Sequence, residues 1–292
     1  MRYRFLRFPE GKEKAVTLSY DDGTCYDIRF ASICNKFGMK CTFNINSSFI
    51  SPVLGESSLS AEEIQRYLLD AGHETAIHGR YHSAPGMCRP VDVIQEFMAC
   101  RQELERMFHC IIRGCAYPDS GIKHVQNGTQ PEHIGSILKD LDIAYARTAG
   151  DDIHNFSLPR NWYNWQPTCH HDDPAVFDYA NRFVSDPADP YIANHWPKLF
   201  YLWGHSNEFY YNNNWEHIEK LCEILGGKAD IWYATNIEIH DYVNAFESLM
   251  FNTDNTMVYN PTLMKVWFYQ DGEIYMVAPG GTIEISNKDS FE

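Results

Sequence analysis

Ala15-Val16-Thr17-Leu18-Ser19-Tyr20-Asp21-Asp22-Gly23 is the stretch from which the architecture is read. Its first six residues form a β-prone run, and Asp21-Asp22-Gly23 then favours a turn for purely local reasons. Apolar residues at helical spacing follow through Phe30, Ile33, Cys34 and Phe37. Gly38 supplies a C-cap, and Lys40-Cys41-Thr42-Phe43-Asn44-Ile45 restarts as a strand. The order strand, loop, helix, strand predicts a βα repeat.

Working outward, Ser60-Ala61-Glu62-Glu63 has the capping-box pattern and opens a helix running to Gly72. Strands are expected near 74–77, 111–117 and 142–147, with helices near 91–108 and 131–140. Units of this kind specify a parallel sheet, either open and doubly wound or closed into a barrel, with any site at the C-terminal strand ends. Residues 148–197 break the pattern. This aromatic, Pro- and Asp-rich stretch holds Trp162, Trp165, His170 and His171, and a long irregular segment of that kind predicts a functional wall. Strands at 199–203 and 231–234 and helices at 214–225 and 237–250 complete the unit. Short alternating runs after residue 250 predict a small antiparallel extension. The expected division is therefore a barrel over 1–245 and a C-terminal β extension over 246–292.

The 292 residues are 44% hydrophobic and 22% charged, a composition that excludes wholesale disorder. Lys and Arg total 24 against 39 Asp and Glu, a net charge of −15 that disfavours a nucleic-acid groove. No run of about 18 apolar residues suggests a membrane span, and Met1-Arg2-Tyr3-Arg4-Phe5-Leu6-Arg7-Phe8-Pro9 lacks a secretory signal, so a cytoplasmic location is expected. Nine cysteines without a C-x-x-C predict reduced, mostly buried thiols.

Four groups of residues can carry chemistry. Asp21 and Asp22, after the first strand, can divide metal binding and proton acceptance. His78 and His82 lie four apart, so a single helical turn would point both rings at one cation. Thirteen histidines in 292 residues give roughly 0.6 such pairs by chance, so placement at a strand end is what raises the signal. Arg113 can orient a carboxylate, and His205, after Tyr201-Leu202-Trp203-Gly204, can donate a proton.

In this order the four groups resemble the NodB-like polysaccharide deacetylases, carbohydrate esterase family four, over roughly residues 14–240. The family's Thr-Phe-Asp-Asp-Gly is matched by the Asp-Asp-Gly of Thr17 to Gly23, and its His-Ser/Thr-x-x-His by His78-Gly79-Arg80-Tyr81-His82, with Gly79 replacing the hydroxyl residue. The resemblance implies an α/β fold, a distorted (β/α) barrel. It implies that Asp22, His78 and His82 bind a divalent metal, zinc on family grounds with cobalt, nickel or manganese also suited, that Asp21 is the base, and that His205 protonates the leaving amine.

Two departures affect the site. Arg113 is followed by Ala116-Tyr117-Pro118-Asp119 rather than Pro-Tyr-Gly, which weakens the expected contact from the Tyr117 backbone to an oxyanion. The family's Asp near a Trp has no clean counterpart. Trp162, Trp165 and Trp203 are the expected substrate wall, Asp172 or Asp173 the expected support for His205, and His170-His171-Asp172-Asp173 is read as a substrate-loop feature rather than a second metal cluster. The implied substrate is an N-acetylated saccharide. Another linear or cyclic amide, or a carbohydrate bound without turnover, are the competing readings.

Overall fold

The computed structural model describes residues 3–55, 57–186 and 195–285. The strands are β1 (Arg4–Arg7), β2 (Lys14–Asp21), β3 (Cys41–Ile45), β4 (Glu74–Ile77), β5 (Gly114–Ala116), β6 (Tyr145–Arg147), β7 (Cys169–His170), β8 (Lys198–Gly204) and β9 (Ile231–Tyr233). A further five, β10 (Met250–Phe251), β11 (Met257–Tyr259), β12 (Val266–Gln270), β13 (Glu273–Val277) and β14 (Thr282–Glu284), follow. The helices are α1 (Asp27–Lys36), α2 (Ala61–Glu63, running into a π-helical turn, Ile64–Leu69), α3 (Pro90–Phe108), α4 (Pro131–Asp140), α5 (Val176–Ser185), α6 (Ser206–Tyr211), α7 (Trp215–Leu225) and α8 (Asn236–Glu247).

Seven parallel strands run in the order β6-β5-β4-β3-β2-β8-β7, and β9 pairs with the first half of β2, which makes an eight-stranded sheet. It curls into the distorted barrel. Register fixes its two faces: in β2, Val16, Leu18 and Tyr20 join Phe30, Cys34 and Phe43 in the core beneath the helices. The intervening Thr17, Ser19 and Asp21 point into the barrel, where Thr17 bonds Asn236 and Ser19 accepts from Asn44. Burying a large apolar side chain such as Phe30 stabilises the fold by about 1.5–3 kcal/mol.

The barrel does not close through its own edge strands. Trp165 instead bridges to Arg147 beside β6, and a few residues later Cys169 and His170 pair with β8. The segment 165–170 therefore spans the gap between the two edges. The region expected to be irregular thus contributes the short strand β7, and it also contains α5, whose amphipathic pattern is masked by the Pro and Asp residues around it.

At the lower end α8 enters beneath the strands. Thr235 and Glu238 form a capping box, and the amide of Ile237 donates to Glu74 Oε2 at 2.9 Å. Outside the barrel, β10, β11 and β14 form one three-stranded antiparallel sheet, and β12 and β13 form another together with β1. The N-terminal strand therefore lies with the C-terminal extension, pairing Arg4 with Gln270 and Arg7 with Trp267. Residues 286–292 of that extension lie outside the described residues. Among the described residues no helix is long and apolar enough to cross a membrane.

Candidate active site

Asp21 is the last residue of β2, and its side chain is almost completely buried at the barrel mouth. Arg147, the last residue of β6 and fully buried, places one guanidinium nitrogen 2.7 and 2.5 Å from the two carboxylate oxygens. Asn44 donates to Oδ1 at 2.8 Å. Burial opposes a charged carboxylate here, yet Arg147, His78, His205 and Asn44 outweigh it and hold Asp21 below the ordinary aspartate range.

Asp22 follows in the left-handed region at φ 81°, a conformation disfavoured for a residue with a side chain. Its carboxylate Oδ1 lies 3.6 Å from His78 Nε2 and 3.5 Å from His82 Nε2. His78 is buried, and its Nδ1 lies 3.0 Å from the carbonyl of Ala116. With Nδ1–H donating there, Nε2 is left unprotonated and aimed at Asp22, the arrangement that orients a metal-binding imidazole. Burial pushes the His78 ring down, toward that neutral form.

The expected helical turn over His78 to His82 does not form. Gly79 and His82 both take positive φ, 75° and 62°, and the chain doubles back so that the two rings meet at 4.9 Å between centroids. Glu96 of α3 holds this loop, accepting from the amides of Tyr81 at 2.6 Å and Ser83 at 3.2 Å. A Cβ at position 79 would come within 3.0 Å of the same carboxylate, so glycine there fits both the backbone and the neighbour.

His205 enters from the end of β8, with Nε2 3.9 Å from Asp21 and 4.0 Å from Asp22. Its other nitrogen lies 3.3 Å from Glu208 Oε1, so Glu208, rather than Asp172 or Asp173, supports His205. Burial opposes protonation of this ring, but Glu208, Asp21 and Asp22 prevail and raise it to about 9. Trp203, half-buried, packs its ring on the Arg147 guanidinium at 4.8 Å and donates from Nε1 to Asp152 at 2.8 Å.

Four residues expected at the site stand elsewhere or are committed otherwise. Arg113 precedes β5 at the end of the strand away from the mouth, and its guanidinium is engaged by Asp241 of α8. Tyr117 is buried with its hydroxyl on the Tyr163 carbonyl, and its amide already donates to the Arg147 carbonyl at 2.9 Å, so it cannot serve an oxyanion. Trp165 is 1% exposed, packed between Tyr145 and Tyr201 in the barrel core. Trp162 packs edge-on against Trp165 and His240, away from the Asp and His cluster.

Arg147, Glu208, Asn44 and Glu96 were not singled out from the sequence. A charged residue closing the apolar run 143–147, and an acid three residues after His205, are the signals that point to the first two.

Residues 9–130, which include Asp21, Asp22, His78 and His82, match the polysaccharide deacetylase family model. No curated protein matches the chain. Among solved structures, a putative polysaccharide deacetylase from Mycobacterium smegmatis aligns over 85% of this chain and 96% of its own, at 14% identity and a TM-score of 0.55. A CE4 family pseudoenzyme from Bacillus anthracis aligns over 81% and 68% at 14% identity and TM-score 0.46. A family 4 acetyl xylan esterase from Clostridium thermocellum, in complex with a cobalt ion, aligns over 78% and 91% at 14% identity and TM-score 0.45. The Mycobacterium smegmatis likeness speaks for the fold.

Proposed function

We propose that this chain, a member of the polysaccharide deacetylase family, is a metal-dependent hydrolase that removes N-acetyl groups from a saccharide. The observation that carries this reading is the convergence of Asp22, His78 and His82 on one point beside Asp21 and His205. Those three ligand atoms lie within 4.8 Å of one another, and one carboxylate with two neutral imidazoles is a donor set suited to zinc, cobalt, nickel or manganese. A divalent cation held there supplies Lewis-acid polarisation of the amide carbonyl and acidifies water.

The chain's own residues do the rest. Asp21, kept ionised by Arg147, accepts the proton of the attacking water. Arg147 fixes the direction of that carboxylate and is a positioning residue. His205, held protonated beside Glu208, gives its proton to the departing nitrogen as the C–N bond breaks. One amide and one water thus yield acetate and a free amine. Trp203 offers a flat wall, and the exposed rings of Tyr210 and Tyr211, with Tyr26 stacked on Tyr210 at 4.5 Å, offer surfaces on which sugar rings can stack.

Acetate release from N-acetylated oligosaccharides, assayed beside small linear and cyclic amides, tests the substrate class. Metal analysis of Asp22→Ala should show the loss of one ion per chain, and unchanged metal content overturns the ligand assignment. Asp21→Asn should keep its metal while acetate release drops by about 10²–10⁴-fold. A fully active Asp21→Asn protein overturns the role of the base.

A further inference from the structure

A second cluster sits on the other side of the His205 ring. His205 turns Nε2 toward Asp21 and Asp22 and Nδ1 toward Glu208, and Glu208 then reaches with its other oxygen into a group formed by β7 and the turn after it. His171 Nε2 lies 3.0 Å from Glu208 Oε2 and 3.4 Å from Asp172 Oδ1. His170 Nε2 lies 3.3 Å from the same Glu208 oxygen. Ligand atoms from all four residues fall within 4.8 Å of one another.

The geometry is not that of hydrogen bonding. His171 is 0% exposed, and its Nε2 has no hydrogen-bond partner although a carboxylate oxygen is 3.0 Å away; Glu208 Oε2 is equally unpartnered. A shared proton has to lie along the N–H direction, whereas a cation needs only that lone pairs converge. Leaving two such buried atoms unsatisfied carries a desolvation penalty, which a bound cation removes.

The ring is also fixed in place. Tyr20, fully buried, sets its hydroxyl 3.3 Å from His171 Nδ1, so that Nδ1–H can donate and leave Nε2 free. The ring packs against Phe209 at 4.2 Å between centroids. Gly204 makes room on the remaining side, since a Cβ there would stand 2.0 Å from His171 Nδ1. His170 plays a different part. Its Nδ1 accepts the Asp172 amide at 3.1 Å, which places its proton on Nε2, facing Glu208.

The structure assigns to His171 Nε2, Glu208 Oε2 and Asp172 Oδ1 a second divalent-cation site, distinct from the Asp22, His78 and His82 group, with the His170 ring beside it. One imidazole and two carboxylates suit zinc, manganese or cobalt. No ligand is shared between the two groups, so each takes its own ion.

The test is cobalt(II) added to the full chain after chelator treatment, read by metal content after gel filtration and by the cobalt absorption bands. Wild type should bind two ions per chain, Glu208→Gln one, Asp22→Ala one, and Glu208→Gln combined with Asp22→Ala none. Asp172 is exposed, so Asp172→Asn folds whatever its effect on the ion, and it should weaken one of the two binding events at least about tenfold. Two ions in Glu208→Gln, or a single wild-type ion that Glu208→Gln retains, overturns the second site and leaves the cluster a histidine–glutamate charge network. One ion lost from Glu208→Gln and none from Asp22→Ala upholds the second site while removing the ligand assignment of the first.

Discussion

Arg147 and Arg113 show what a single side chain decides at this site. Arg147 is buried against Asp21, and replacing it with methionine leaves a carboxylate out of water without its counter-charge, a change that costs about 3–5 kcal/mol where a buried pair is broken. Urea denaturation of Arg147→Met should show that loss. Arg113→Ala removes a partly exposed pair with Asp241 and should lower stability by at most about 1 kcal/mol while acetate release continues. Asp27, at the start of α1, is buried with Ser206 donating to it at 2.5 Å, and burial raises its pKa to about 8. Between pH 4 and 8 the unfolded chain has released this proton and the folded chain retains it, so Asp27 lowers stability progressively as pH rises. The denaturation midpoint of Asp27→Asn relative to wild type should therefore increase across that interval, and a constant difference contradicts the assignment. Asp21, Asp22, His78, His82 and His205 were legible because each adjoins a run whose β character is local. Arg113 misled because position along a short strand decides which end faces the mouth, and 111–117 reads as one strand while only Gly114–Ala116 pairs.

Glu74 does for several elements what Arg147 does for one carboxylate. It opens β4 and accepts from Thr42 of β3 at 2.8 Å, Tyr145 of β6 at 2.8 Å and the first turn of α8 at 2.9 Å. Burial raises its pKa to about 7, although all three donors favour the charged form. Glu74→Gln turns two acceptor oxygens into one and confronts a donor with a donor, so a loss of about 1–3 kcal/mol is expected, with α8 the first element to lose amide-exchange protection. A variant as stable as wild type, with α8 equally protected, contradicts that linkage. Elements with strong periodicity were plain in the sequence: the strand at 74–77 and the helix at 131–140 have the expected limits. Short elements set by tertiary pairing were not. β7 is two residues held by β8, and α6 is six residues whose place, like that of Glu208 in its first turn, follows from His205 standing at the helix N-cap.

Across the whole molecule, a line of polar residues runs along the sheet interior, with Asn236 and Glu74 at the bottom, Thr17, Ser19 and Asn44 midway and Asp21 and Arg147 at the mouth, beside an apolar cluster that includes Tyr145, Trp165, Leu199 and Tyr201. The larger apolar core lies on the opposite face, beneath the helices, so site substitutions of matched size should leave that packing intact. Composition and alternation announced a βα repeat, but not how it closes, because the closing segment pairs through Trp165 and Cys169 rather than through a long strand. The placing of β1 has a further consequence for biogenesis. Its partner in β12 lies 266 residues later in the chain. At translation speeds of about 5–20 residues per second, Phe5 and Leu6 wait roughly 13–50 s on the ribosome for the strand that covers them. Nascent chains stalled short of residue 266 should thus expose this apolar segment to chaperones, even those long enough to include every barrel strand.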